Sequence, residues 1–189
     1  PTNKREALKY YKMAADKGNA SAMFSYAYMR YKGDGIPVNK KEAAVFFKQA
    51  ADKGHEIAMR NYAIMNDDGD GIPTNKREAL QYYKMAADKG DAESILSYAL
   101  MFYKGDGIPV NKKEAASYFK KSADLGNEKA MFNYALMLIN GEGIPTNERE
   151  AVRYYKMSAD KEYVDAMHNY ALLCYDGRGC EKNDKEAVI

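Results

Sequence analysis

Apolar residues recur at spacings of three, four, seven and eight along the first stretch of the chain. Ala7, Tyr10, Tyr11, Ala14 and Ala15 form one stripe. That spacing lies on a single face of an α-helix and predicts one over Lys4–Lys17. A second stripe, Ala22, Met23, Tyr26, Ala27 and then Met29 or Arg30, predicts a helix over Ala20–Lys32. Gly18 separates the two and tolerates the left-handed conformation that ends helices. Gly33-Asp34-Gly35 then marks a tight reversal, and Pro37 cannot continue a helix.

The whole pattern returns every 36 residues. All five prolines obey it: Pro1, Pro37, Pro73, Pro109 and Pro145. An Asn follows at Asn3, Asn39, Asn75, Asn111, Asn147 and Asn183. A Glu stands three residues later, at Glu6, Glu42, Glu78, Glu114, Glu150 and Glu186. An Asn N-cap accepts a bond from an unpaired amide of the first turn, and the Glu reaches back to the cap. Gly54, Gly90 and Gly126 repeat Gly18, but Glu162 replaces the fifth, so that turn is expected to differ. A large ring beside a small residue recurs at Tyr26-Ala27, Tyr62-Ala63, Tyr98-Ala99, Tyr134-Ala135 and Tyr170-Ala171, as close helix packing requires. One helix pair cannot bury its stripes alone, whereas stacked pairs can. The expected architecture is all-α: a single solenoid over residues 1–189. Its units are 1–36, 37–72, 73–108, 109–144 and 145–180, with the start of a sixth at 181–189. Units one and three differ at only eight positions, which points to duplication of a 72-residue pair.

Ala-x-x-Tyr-Tyr-Lys-Met-Ala-Ala-Asp-Lys-Gly at Ala7–Gly18, with Tyr-Ala-x-Met and Gly-Asp-Gly-Ile-Pro, resembles the Sel1-like repeat family, a relative of the tetratricopeptide repeats. The resemblance covers the whole chain. Tyr10, Phe46, Tyr82, Tyr118 and Tyr154 stand where that family often has Trp, and its Leu-Gly pair is Tyr-Ala here. The usual Tyr late in the second helix is Arg30, Asn66, Phe102, Leu138 and Cys174. The resemblance implies a right-handed α-α superhelix of helix-turn-helix repeats acting as a non-enzymatic scaffold or adaptor for a protein or peptide. It also implies that the helix at Ala20–Lys32 and its counterparts line the concave groove.

Positions that vary between units on that helix are free to confer specificity. They form a ladder of four rungs. The first holds Phe24, Arg60, Leu96, Phe132 and His168; the second holds Ser25, Asn61, Ser97, Asn133 and Asn169. The third holds Tyr28, Ile64, Leu100, Leu136 and Leu172; the fourth holds Tyr31, Asp67, Tyr103, Ile139 and Tyr175. Amides can bond both the C=O and the N–H of an extended partner while rings hold its side chains. The opposing reading makes the same residues inter-repeat core and local caps. A lysine row, Lys12, Lys48, Lys84, Lys120 and Lys156, reads either as a surface for acidic partners or as an outer face paired with nearby carboxylates.

Composition narrows the function classes. Hydrophobic residues make up 46% and aromatics 12%, and 29 basic residues face 27 acidic ones, which fits a folded chain and not a disordered one. A net charge of +2 does not suit a nucleic-acid binder, and no run of about 18 apolar residues suits a membrane span. Cys174 and Cys180 read as small buried apolar residues in reducing conditions, favouring the cytoplasm over a secretory lumen; a disulfide across the last Gly-x-Gly turn is the alternative. The chain opens at Pro1 in mid-motif and reads as a piece of a longer protein. A cut array leaves apolar stripes uncovered, so a monomer in dilute solution with end-to-end stacking is expected.

Other chemistry fails its context. Asn66, Asp68, Asp70 and Gly71 imitate the start of a calcium loop, but the twelfth position is Arg77 instead of Glu. Ser117-x-x-Lys120 and Ser158-x-x-Lys161 match one motif of β-lactam-recognising serine hydrolases without its companion strings. His55 and His168 lie far apart with no partnering ligand, so no metal, cofactor or catalytic residue is assigned. A structural spacer within a larger multidomain protein is the main alternative to the scaffold, and a serine hydrolase is the remote one.

Overall fold

The computed structural model describes residues 3–33 and 36–179. Asn183, Glu186, the sixth-unit start and Cys180, with the disulfide it would form, lie outside them. Among the described residues there are ten helices and no strand. They fall into two compact units. Unit 1, Pro1–Asp91, holds α1 (Lys4–Asp16), α2 (Ala20–Lys32), α3 (Lys40–Asp52), α4 (Glu56–Asp68) and α5 (Lys76–Asp88). Unit 2, Ala92–Ile189, holds α6 (Ala92–Lys104), α7 (Lys112–Asp124), α8 (Glu128–Asn140), α9 (Glu148–Ala159) and α10 (Val164–Asp176). Within each unit every helix packs on the next, most extensively across the Gly-x-Gly loops (α2 on α3, α4 on α5, α6 on α7, α8 on α9).

The odd-numbered helices start as the Asn-Glu spacing predicts. Asn3, Asn39, Asn75, Asn111 and Asn147 each accept the amide of the Glu three residues on, at 3.0–3.2 Å. Such caps contribute about 1 kcal/mol each. The Glu, however, accepts from the side-chain amide of Asn39, Asn75 and Asn147 (3.1 Å each) and not from the cap backbone. The reason is that the cap backbone N–H is already taken. Asn39, Asn75, Asn111 and Asn147 donate it to the carbonyls of Arg30, Asn66, Phe102 and Leu138 at 2.8–2.9 Å. The side chains of these four acceptors differ in every repeat. A main-chain bond tolerates that variation.

The Tyr-Ala pairs make the helix contacts. Tyr26, Tyr62, Tyr98 and Tyr134 meet Phe46, Tyr82, Tyr118 and Tyr154 edge-on, with centroids 4.6–4.9 Å apart. Each such pair adds roughly 0.5–1.5 kcal/mol beyond its buried area. Beside them Ala27, Ala63, Ala99 and Ala135 are fully buried and let the backbones approach. Two of the ring hydroxyls bond carboxylates: Tyr26 donates to Glu42 at 2.6 Å and Tyr62 to Glu78 at 2.9 Å.

The second glycine of three Gly-x-Gly loops, Gly71, Gly143 and Gly179, abuts the preceding odd-numbered helix. A Cβ on Gly71 would lie 2.3 Å from Lys40 Cβ, and one on Gly143 2.4 Å from the Lys112 carbonyl carbon. Both also sit at positive φ, 79° and 73°. The residue between the glycines locks that contact: Lys40 pairs with Asp70, and Lys112 with Glu142. In the last loop the charges are reversed, with Glu148 on the helix and Arg178 in the loop.

The turn at Glu162 differs from its counterparts at its edges: α9 ends one residue early, at Ala159, and the α10 cap Tyr163 makes no side-chain cap bond. Its centre keeps their form. Glu162 takes up the left-handed conformation, φ 66°, where Gly126 has 92°. Its N–H bonds Ala159 O at 2.8 Å, as that of Gly126 bonds Ala123 O at 2.8 Å. The tertiary packing of α9 and α10 imposes a conformation that a Cβ disfavours.

Candidate functional site

The ladder residues all lie on even-numbered helices, but the rungs differ in what they touch. Three first-rung residues each meet the residue 31 positions on. Phe24 stacks on His55 with centroids 4.5 Å apart, Arg60 forms an ion pair with Asp91, and Phe132 packs on Tyr163 at 5.3 Å. Leu96 is buried and His168 exposed. The amides of the second rung split. Asn133 Nδ2 turns back to Lys129 O at 2.7 Å, and Asn169 bonds the Tyr155 hydroxyl. Asn61 makes no side-chain hydrogen bond among the described residues. On the third rung Tyr28, Ile64 and Leu172 are exposed, while Leu100 and Leu136 are half-buried. On the fourth, Tyr31 and Tyr103 are half-buried and Tyr175 is exposed.

Four ladder residues converge in unit 1. Tyr28, Tyr31, Asn61 and Ile64 line a cleft of about 170 Å³ together with Lys32, Phe47 and Met65. Phe47 and Met65, both buried, form the floor. Tyr28 and Ile64 remain 46% and 36% exposed and form the walls. Tyr31 is fixed: its hydroxyl donates to Asp70 at 2.7 Å, its ring meets Phe47 edge-on at 6.3 Å, and Lys40 lies over its face. The bond to Asp70, with burial, holds the Tyr31 hydroxyl above its usual pKa. The Lys40 ammonium and the Tyr31 hydroxyl together hold the Asp70 carboxyl below its own. Sequence reasoning did not single out Lys32, Phe47 or Met65. Phe47 and Met65 carry only the ordinary signal of a core stripe, and Lys32 that of a cation at a helix C-terminus.

The remaining sequence candidates have local roles. Lys12, Lys84 and Lys120 pair with Asp16, Asp88 and Asp124 one turn on, and Lys48 with Glu78. Burial works against the Lys48 charge, but bonds to Glu78 and Tyr82 outweigh it and raise its pKa. The lysine row is thus largely paired with carboxylates. Asp67 and Asp70 of the calcium-like string are held by Lys76 and Lys40, and Asn66 Nδ2 donates to Tyr62 O. Ser158 is buried and donates to Glu128 O at 2.7 Å. Ser117 is exposed, and the neighbouring Lys120 is held protonated by Asp124, the opposite of what a general base requires. His55 caps α4: its Nδ1 accepts the Ala58 amide at 3.3 Å. Cys174 is buried. No helix among the described residues is long and apolar enough to cross a membrane.

Comparison with known proteins accounts for this arrangement. The Sel1 repeat model matches residues 1–19, 20–55, 57–91, 92–127, 128–163 and 164–189. A search of curated protein sequences returns no match. Among solved structures, a Sel1 repeat protein from Oxalobacter formigenes is 30% identical with a TM-score of 0.81, over 95% of this chain and 72% of that one. The protective antigen c5321 of uropathogenic Escherichia coli, which displays an SLR fold, is 24% identical with a TM-score of 0.90. That match covers 95% of this chain, which spans only 40% of the E. coli protein. Cysteine rich protein B of Helicobacter pylori shares the fold at 19% identity and a TM-score of 0.56, over 67% of this chain and 93% of that one. With matched repeats from one end of the sequence to the other, the helix pairs are repeats of a solenoid scaffold, and the chain belongs to the Sel1 repeat family.

Proposed function

We propose that this chain is a non-enzymatic interaction scaffold that holds a peptide or protein segment on the face of its even-numbered helices, the face assigned to the concave side by the family resemblance. The observation that carries this reading is the cleft of Tyr28, Tyr31, Asn61 and Ile64. It combines a preformed apolar floor, exposed apolar walls and an amide with unused hydrogen-bonding capacity. A buried apolar pocket with few convergent polar groups is what recognition of a polypeptide side chain requires. Asn61 supplies a donor and an acceptor for the backbone of the bound segment. The first rung serves the repeat junctions, so the accessible second and third rungs carry the contact.

A random-peptide display selection on the purified chain tests this. Enriched peptides should bind the wild type and lose about tenfold in affinity with Tyr28→Ala, as a buried aromatic anchor does. Asn61→Ala should weaken them further. A spacer would enrich no peptide. Enriched peptides that ignore both substitutions would place the binding face elsewhere.

A further inference from the structure

We infer that the cleft selects an apolar side chain adjoined by a carboxylate, with the apolar group on the Phe47–Met65 floor and the carboxylate on Lys32 Nζ. This rests on the docking reading above and adds the chemistry of the partner.

Charge is the first ground. The other cations around the cleft are neutralised: Lys40 by Asp70, Lys76 by Asp67 and Arg60 by Asp91. The same pairs consume Asp70, Asp67 and Asp91, while Asp68, whose charge also acts on the Tyr31 hydroxyl, is exposed and forms no ion pair among the described residues. Lys32, exposed at the rim, makes no ion pair among the described residues. Its ammonium lies 5.9 Å from the Tyr28 centroid and 5.8 Å from that of Tyr31. The two rings most able to receive a cationic ligand therefore already face a cation. A basic segment meets like charge at these rings, and an acidic one meets an ammonium with no ion pair among the described residues.

Size and pattern are the second ground. A space of about 170 Å³ accommodates a single apolar side chain and not a helix. The residue types recur 72 positions on, at Tyr103, Lys104, Phe119, Asn133 and Leu136. Lys104 also makes no ion pair among the described residues. There Asn133 is turned to its own helix, so the first cleft is the one with its amide available.

Two phage-displayed libraries provide the test. Both carry a central Leu, Met or Phe; one has Asp and Glu flanks, the other Lys and Arg. Peptides enriched from each are synthesised and measured by fluorescence anisotropy against the wild type, Lys32→Gln, Lys32→Glu and Tyr28→Ala. The acidic library should enrich. Lys32→Gln should weaken its peptides by up to about fivefold, the range of an exposed ion pair, and Lys32→Glu by about tenfold. Equal enrichment of both libraries, or indifference to Lys32→Glu alongside loss with Tyr28→Ala, would overturn the carboxylate pairing and leave the docking reading standing. Enrichment of neither library would overturn both.

Discussion

Replacing Glu162 by Gly should stabilise the α9–α10 junction. Glu162 is the one described non-glycine residue at positive φ, 66°, and its side chain is exposed. The left-handed conformation costs a residue with a Cβ about 1–2 kcal/mol. Glycine removes that cost but enlarges the unfolded ensemble by about 0.4–1 kcal/mol. The net gain is about 0.5–1 kcal/mol. Stability in repeat arrays is local, so the gain should be read near the turn. Hydrogen exchange at the α10 amides should slow by about two- to fivefold, while α6 amides stay unchanged. Glu162→Ala keeps the Cβ and should gain little. The mirror substitution, Gly126→Ala at φ 92°, should speed exchange in α8. Slower exchange with Glu162→Ala as large as with Glu162→Gly would refute the backbone account and point to the lost charge instead.

Three further outcomes are expected. His55 is held below its usual pKa by burial, with its backbone hydrogen bond and the Glu56 charge opposing, and its neutral Nδ1 caps α4. The unfolded state therefore takes up the proton first, and stability is full above about pH 6.5 and declines as pH falls toward the folded value. Denaturation curves between pH 7 and 5 should show this slope and lose it in His55→Asn, because the depressed carboxylates titrate lower. Glu148→Lys or Arg178→Asp alone should destabilise the last loop at low salt, and the double reversal should restore it, as a double-mutant cycle in thermal melts would register. Helix α1 differs from α5 only at Lys9 against Gln81, yet Tyr10 is 58% exposed where Tyr82 is 3% exposed; sedimentation should find monomer in dilute solution and association at high concentration that Tyr10→Glu suppresses.

The helices, their caps and the Tyr-Ala contacts were legible because each depends on residues close together in a short repeated pattern. The junctions were less so. Phe24, Arg60 and Phe132 vary between repeats, which from sequence reads as freedom to bind a partner. Each in fact meets the residue 31 positions on: His55, Asp91 and Tyr163. Both members of a contact vary together, so variation at one position did not mark it as accessible. Glu162 was legible in part, since the turn does differ at its edges, where α9 stops a residue early and Tyr163 supplies no side-chain cap, while its left-handed backbone is kept. Lys32 gave only the signal of a cation at a helix C-terminus, because whether it is paired depends on carboxylates that lie elsewhere in the chain.

The reversed pair Glu148–Arg178 means that these repeats are not interchangeable bricks. Lys40–Asp70 and Glu148–Arg178 are two keys cut to opposite polarity. A block excised with its own loop and following helix would carry a matched set wherever it was spliced. One cut between helix start and loop would bring like charges together at a seam where the glycine leaves no room to retreat. Lengthening or shortening such an array by recombination is thus permitted at some breakpoints and penalised at others, and the polarity of each seam says which.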